Sequence, residues 1–219
     1  MATMSSGPRR GLRAVLFDWD GTLLDSAGSS FRCYERLFGS FGLGFDRALF
    51  ERSYSPNWYH TYATVGLAEA RWAEADQLWL RLYAEEQPEL LPGARDVLQR
   101  LEGRGLVQGL VTSGSRERVA GELVSRDLVH FFRTVVCGED TRQKKPHPEA
   151  LLLALERLGI GASEAAYVGD SPEDIEMARA AGVLSAGVPG GFPNREALRA
   201  ARPDVLATSL EEAVDRVLG

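Results

Sequence analysis

Apolar and polar positions divide this chain into two unlike stretches. From Pro92 onward, short apolar runs alternate with segments of helical spacing. Strands are predicted at 107–111, 134–136, 165–168, 184–188 and 204–207, and helices at 94–102, 116–125, 148–158 and 172–181. The last strand leads into a helix opening Ser209-Leu210-Glu211-Glu212, the pattern of a capping box. One further apolar run, Ala14 to Phe17, stands near the beginning of the chain. Strands alternating with helices predict an α/β fold with a Rossmann-like, doubly wound parallel sheet.

Between residues 25 and 87 the pattern becomes helical and aromatic, with a polar, turn-rich stretch at 52–60. Phe31, Tyr34, Leu37 and Phe38 recur at helical spacing, and Gly39 to Gly44 breaks the run. A second helix is expected near Asp46 and a third from about Leu67 to Tyr83, closed by Pro88 and the Leu91-Pro92-Gly93 turn. No strand is predicted here. A segment this long is not an ordinary loop. The expectation is a core of residues 1–24 and 88–219 with an inserted all-helical cap at 25–87.

Composition narrows the class. The chain has 219 residues, 44% hydrophobic and 26% charged, with a net charge of -6, the balance of a globular domain. Its acidity argues against nucleic acid or an anionic membrane as partner, and no apolar run is long enough to span a bilayer. Cys33 and Cys137 are in no metal-ligand spacing, so a reducing cytoplasm is the simplest setting. No obligatory protein partner is evident. Residues 1–10 are small, polar and basic and read as a loose tail.

The chemistry sits at strand ends. The first strand runs into Asp18-Trp19-Asp20-Gly21-Thr22. Two carboxylates that close raise each other's pKa unless a cation compensates them. Closely spaced hard oxygen ligands suit magnesium, and Gly21 lets the chain turn beside an incoming ligand. In a doubly wound sheet ligands bind at the carboxyl ends of strands, and each later strand end carries candidates. Thr112-Ser113-Gly114-Ser115 follows the second strand, with a hydroxyl and free backbone N–H groups for an anion. Ser113 or Ser115 could equally cap the helix there. Lys144-Lys145-Pro146-His147-Pro148 follows the third strand and holds the only two lysines of the chain. His147, between two prolines, reads as part of a structural turn. Gly169-Asp170-Ser171-Pro172-Glu173-Asp174 follows the fourth.

These four stretches, in this order, resemble the four motifs of the haloacid dehalogenase superfamily, in its phosphoglycolate phosphatase-like branch. The resemblance covers nearly the whole core. It implies that Asp18 is a nucleophile forming an aspartyl-phosphate. Asp20 becomes the general acid and base, and its backbone carbonyl a metal ligand. Gly21, Thr22, Thr112 and Ser113 fall to the phosphate, with Lys145 screening nucleophile and phosphate. Asp18 and Asp170 then hold magnesium. Asp174 either supports the metal or Lys145, or caps the helix that Ser171 and Pro172 begin.

Dehalogenases of the superfamily lack an aspartate at the position of Asp20, and its ATPases carry threonine there. A magnesium-dependent phosphatase acting on a small phosphorylated metabolite is therefore the implied function. The alternatives are a sugar-phosphate mutase of the β-phosphoglucomutase type and a non-enzymatic binding protein on the same fold. Specificity is expected in the polar, aromatic stretch 52–60, with Arg52 or His60 reaching a second anionic group.

Overall fold

The computed structural model describes residues 11–219, so the expected tail at 1–10 lies outside the described residues. Strands β1 (Ala14–Phe17), β2 (Val107–Val111), β3 (Thr134–Val136), β4 (Ala165–Gly169), β5 (Leu184–Gly187) and β6 (Val205–Leu206) form one sheet in the order β3-β2-β1-β4-β5-β6. Every pairing is parallel. The order reverses beside β1, where a doubly wound sheet opens a crevice at its carboxyl edge.

Side-chain alternation along β1 explains the layers. Val15 and Phe17 face one side and join the apolar positions of α5 (Ala94–Gly103), α6 (Arg116–Ser125) and α10 (Leu210–Leu218). Ala14 and Leu16 face the other and pack with α7 (Glu149–Leu158) and α8 (Pro172–Ala180). All four are fully buried. Burial of each larger side chain contributes roughly 1.5–3 kcal/mol, which holds the end of β1, and Asp18 with it, in a fixed position.

The helical stretch comprises α1 (Ala27–Ser40), α2 (Arg47–Ser53), α3 (Trp58–Val65) and α4 (Trp72–Tyr83). They enclose their own aromatic core, in which Phe38, Phe50 and Tyr62 are almost completely buried. Phe192, from the loop after β5, enters that core by stacking on Tyr54 at 4.3 Å between ring centroids. The two connections to the sheet run side by side, Asp25 N–H donating to Glu89 O and Leu91 N–H to Leu23 O, each at 2.9 Å.

Four elements depart from the sequence reading. Residues 58–65, of which 58–60 fall in the turn-rich stretch, form helix α3; Tyr62 is buried in the aromatic core, and that packing outweighs the weak helix propensity of its aromatic and β-branched residues. Helix α4 begins at Trp72 rather than Leu67, because Glu69–Arg71 forms a tighter turn and the Trp72 indole donates to Leu67 O at 3.0 Å. Helix α9 (Arg195–Ala200) was not anticipated. At α10 only half of the expected capping box forms. Ser209 caps the Glu212 N–H, while the Glu212 carboxylate turns to Thr208.

Candidate active site

Asp18 follows β1 directly, and its backbone N–H donates to Val168 O at 2.9 Å, so β4 continues to register the chain there. The Lys145 ammonium meets it from the loop before α7. Its Nζ lies 2.6 Å from Asp18 Oδ1, 2.7 Å from Asp174 Oδ1 and 2.8 Å from the Tyr167 hydroxyl. Tyr167 stands on β4 and donates to Val111 O at 2.9 Å, which ties β2 and β4 to this contact across the sheet. An ammonium has three protons, and here each has an acceptor.

Asp174 serves two purposes at once. Its Oδ2 accepts from the Ser171 N–H and hydroxyl, completing a capping box at α8, while Oδ1 takes Lys145. The choice posed by the sequence is resolved into both roles on one carboxylate, with both oxygens engaged. Asp170 differs: its Oδ2 is buried and has no hydrogen-bond partner.

One ammonium among three buried carboxylates leaves excess negative charge. Oxygens of Asp18, Asp170 and Asp174 lie within 4.8 Å of one another. Burial pushes Asp18 up to about 7; Lys145 opposes the rise and Asp174 adds to it. Burial, then the charges of Asp174 and Asp18, drives Asp170 well above the carboxylate range. Burial works against the charge on Lys145, but Asp174 and Asp18 outweigh it and hold the ammonium above its ordinary value.

The residues fit a divalent cation. The orphaned Asp170 Oδ2 lies close against two glycines. A Cβ on Gly190 would strike the Gly21 carbonyl and Asp170 Oδ2, and one on Gly21, whose φ is +82°, would strike Asp170 too. Asp18 and Asp170 are the side chains with an oxygen to give, since Asp174 is committed elsewhere.

Asp20 lies in the same cleft, and its carboxylate is held by Arg118 of α6, Nη1 to Oδ1 at 3.1 Å and Nη2 to Oδ2 at 2.5 Å. Arg118 also reaches Glu122 at 3.1 Å, and Glu122 accepts from the Trp19 indole at 2.6 Å. Above the guanidinium lies Tyr83 of α4, 4.9 Å to the ring centroid. Burial disfavours the charge on Arg118, and Asp20 and Glu122 outweigh it.

The remaining candidates divide. Thr112 is buried at the end of β2, lines the cleft and accepts from the Gly114 N–H at 3.0 Å. Ser113 lines it as well. Ser115 occupies the N-cap of α6 without a side-chain cap bond, and its buried Oγ has no partner. Thr22 is completely buried and is not part of the cleft wall, so its hydroxyl is not brought to the site. His147 accepts the Glu149 N–H at 3.2 Å, the structural turn foreseen for it. Arg52 and His60 are exposed and do not line the cleft; Tyr54, Ser55, Pro56, Trp58 and Tyr59 of the same stretch do.

Arg118, Tyr167 and Ser115 escaped the sequence reading as site residues. Arg118 carries no motif, and Tyr167 reads as one more apolar strand position. Ser115 reads from the sequence as a helix cap.

The cleft encloses about 370 Å³ between the sheet edge and the inserted helices. Among the described residues, no helix is long and apolar enough to cross a membrane. The sequence profile of the haloacid dehalogenase-like hydrolases matches residues 15–188. The phosphoglycolate phosphatase of Escherichia coli strain K12 is 35% identical over 231 residues, spanning 92% of this chain and 90% of that one. Solved structures share the fold, two of them as follows. CbbY from Rhodobacter sphaeroides, in complex with phosphate, aligns with a TM-score of 0.80 at 24% identity over 92% of this chain and 96% of that one. The β-phosphoglucomutase of Clostridium difficile aligns with a TM-score of 0.76 at 18% identity over 92% of each chain.

Proposed function

The chain belongs to the haloacid dehalogenase-like hydrolases, and from that premise we propose that it is a magnesium-dependent phosphatase of small phosphate monoesters, working through a phosphorylated Asp18. The observation that carries this reading is Lys145 Nζ seated 2.6 Å from Asp18 Oδ1 beside the unpartnered oxygen of Asp170. That constellation is a buried nucleophile with positive charge on one side and a cation-binding carboxylate on the other. We assign residues 25–87 as a cap over a core of 1–24 and 88–219. Two buried, unpaired cysteines fit a cytoplasmic setting.

In this mechanism Asp18 and Asp170 hold magnesium together with the backbone of Asp20. When bound, the ion neutralises phosphoryl oxygens and lowers the barrier to attack on phosphorus. Lys145, fixed by Asp174 and Tyr167, screens the charge between Asp18 and the phosphoryl group. Thr112, with Ser113 beside it, orients the phosphoryl oxygens so that Asp18 attacks in line. Asp20 protonates the departing alcohol and then takes a proton from the water that hydrolyses the acyl phosphate. In the arrangement observed, Arg118 occupies both Asp20 oxygens, so that pair must part during turnover.

The test is inorganic phosphate release from a panel of phosphorylated metabolites, with magnesium or chelator, together with mass spectrometry of the quenched enzyme. Magnesium-dependent release, a phosphoryl adduct on Asp18 and loss of both in Asp18→Asn support the reading. Release that persists in Asp18→Asn excludes it.

A further inference from the structure

The acids of the cleft wall differ in what answers them. Lys145 and a bound metal answer Asp18, Asp170 and Asp174. Arg118 answers Asp20. Glu139 accepts the Arg116 N–H at the start of α6. The remaining acid of the cleft wall is Asp76 on α4. It accepts from the Trp58 indole and the Tyr59 hydroxyl, both at 2.9 Å. Among the described residues it makes no ion pair. Its charge also reaches Tyr34, whose hydroxyl is held above its ordinary value by burial first and by Asp76 next.

The inserted helices contribute no arginine, lysine or histidine to the cleft wall among the described residues. What they contribute around Asp76 is aromatic: Tyr34, Trp58, Tyr59, Tyr62 and Trp79. On the sheet side, the cationic side chains of the cleft wall among the described residues already have hydrogen-bond partners. Arg118 is saturated by Asp20 and Glu122, and Lys144 donates to the carbonyls of Gly138 and Thr141. A substrate whose second carboxylate or phosphate reached the inserted helices would bring its charge against Asp76, with no cationic side chain of those helices in the cleft wall to receive it. A carboxylate walled by aromatic rings is the chemistry that recognises an ammonium, by charge and by the electron-rich ring faces.

We propose that the preferred substrate is a phosphate monoester whose alcohol half carries a cation, a protonated amine or a quaternary ammonium, seated against Asp76 among Trp58, Tyr59 and Tyr62. The inference rests on the phosphatase reading for the position of the phosphate, and it specifies the other end of the molecule. A polar substrate is thereby oriented by both ends, phosphate toward Lys145 and cation toward Asp76.

The test compares choline phosphate, its uncharged isostere with carbon in place of nitrogen, and phosphoglycolate. With wild-type enzyme and magnesium, kcat/KM for choline phosphate is expected to exceed that of the isostere by roughly tenfold, the scale of a cation–aromatic and carboxylate contact, with phosphoglycolate lowest. Asp76→Asn brings the ratio of cationic to neutral ester toward one, and Asp76→Glu retains part of it. Equal use of the cationic and neutral esters, or preference for phosphoglycolate, overturns the inference. Because the pair is compared within one protein, a folding defect in a variant does not blur the result. Binding of the same three esters to Asp18→Asn protein is then measured by calorimetry. Tighter binding of the cationic ester upholds the inference even if no ester is hydrolysed, an outcome that would sink the phosphatase reading alone. Equal affinity for the two isosteres overturns it.

Discussion

Arg118 grips Asp20 with both prongs of its guanidinium, at 3.1 and 2.5 Å, while the same group bonds Glu122 and lies under Tyr83 of the inserted helices. The residue proposed to move protons is thus tied, through one buried cation, to the element that covers the cleft. A bidentate fork of this kind is specific in geometry as well as strong. Any motion that shifts α4 over the sheet moves a wall of the Arg118 site, so covering the substrate and freeing Asp20 are mechanically linked.

Removing that cation leaves two carboxylates facing each other. Arg118→Ala is expected to destabilise the protein by about 3 kcal/mol, the scale of breaking a buried charge network. Urea unfolding measures it. A change within the error of a surface substitution would show that water already screens the pair.

Asp18 gives a pH dependence whose sign follows from its shift. Its carboxyl is raised to about 7 without a metal, so folding favours the protonated form. That contribution is complete below the unfolded value near 4 and is lost as pH rises to about 7. Chelator-treated protein should lose thermal stability over this window. Magnesium should restore it more at pH 8 than at pH 5, since protons no longer compete for the ligands. Melting temperatures at the two pH values check this; an equal gain at both contradicts it.

Tyr167→Phe removes the hydroxyl between Lys145 and Val111 O. The expected cost is about 1–2 kcal/mol of stability, with one buried acceptor left unpaired. A fall in kcat of roughly tenfold is also expected, because Lys145 loses one of three restraints. Steady-state kinetics separate the two effects, and a raised KM at unchanged kcat would place Tyr167 in substrate binding instead.

Gly190→Ala tests the metal cradle from the far side. Its Cβ would press on the Gly21 carbonyl and Asp170 Oδ2. The magnesium concentration for half-maximal activity should rise roughly tenfold, as for other perturbations of groups behind metal ligands. An unaltered magnesium requirement would mean that the ion sits elsewhere.

Much of this protein was legible in one dimension because its information is local. The apolar runs of β1, β2 and β4 are recognisable from composition, and the residues that follow them must emerge at one edge of a parallel sheet. Asp18, Thr112 and Asp170, each directly after one of these strands, come to one edge for that reason; the role of Lys145, in the loop after β3, follows from the resemblance. Ser171, Pro172 and Asp174 spelled out a helix start that needs no partner.

What the tertiary structure decided depends on residues far apart in the chain. Asp20 and Arg118 are separated by 98 positions, and Lys145 and Asp18 by 127. Whether Arg118 meets a carboxylate or water is set by how α6 packs against the sheet. The wall of the cleft shows the same limit. A stretch containing Arg52, Trp58, Tyr59 and His60 offered cations and rings alike, and helical spacing alone did not say which would turn inward. Folding α3 from Trp58 directed Trp58 and Tyr59 toward Asp76 and left His60 in solvent, as the end of α2 leaves Arg52. Burial favours the aromatic faces and penalises an unpaired charge. The choice between them was therefore made by packing, which no local pattern encodes.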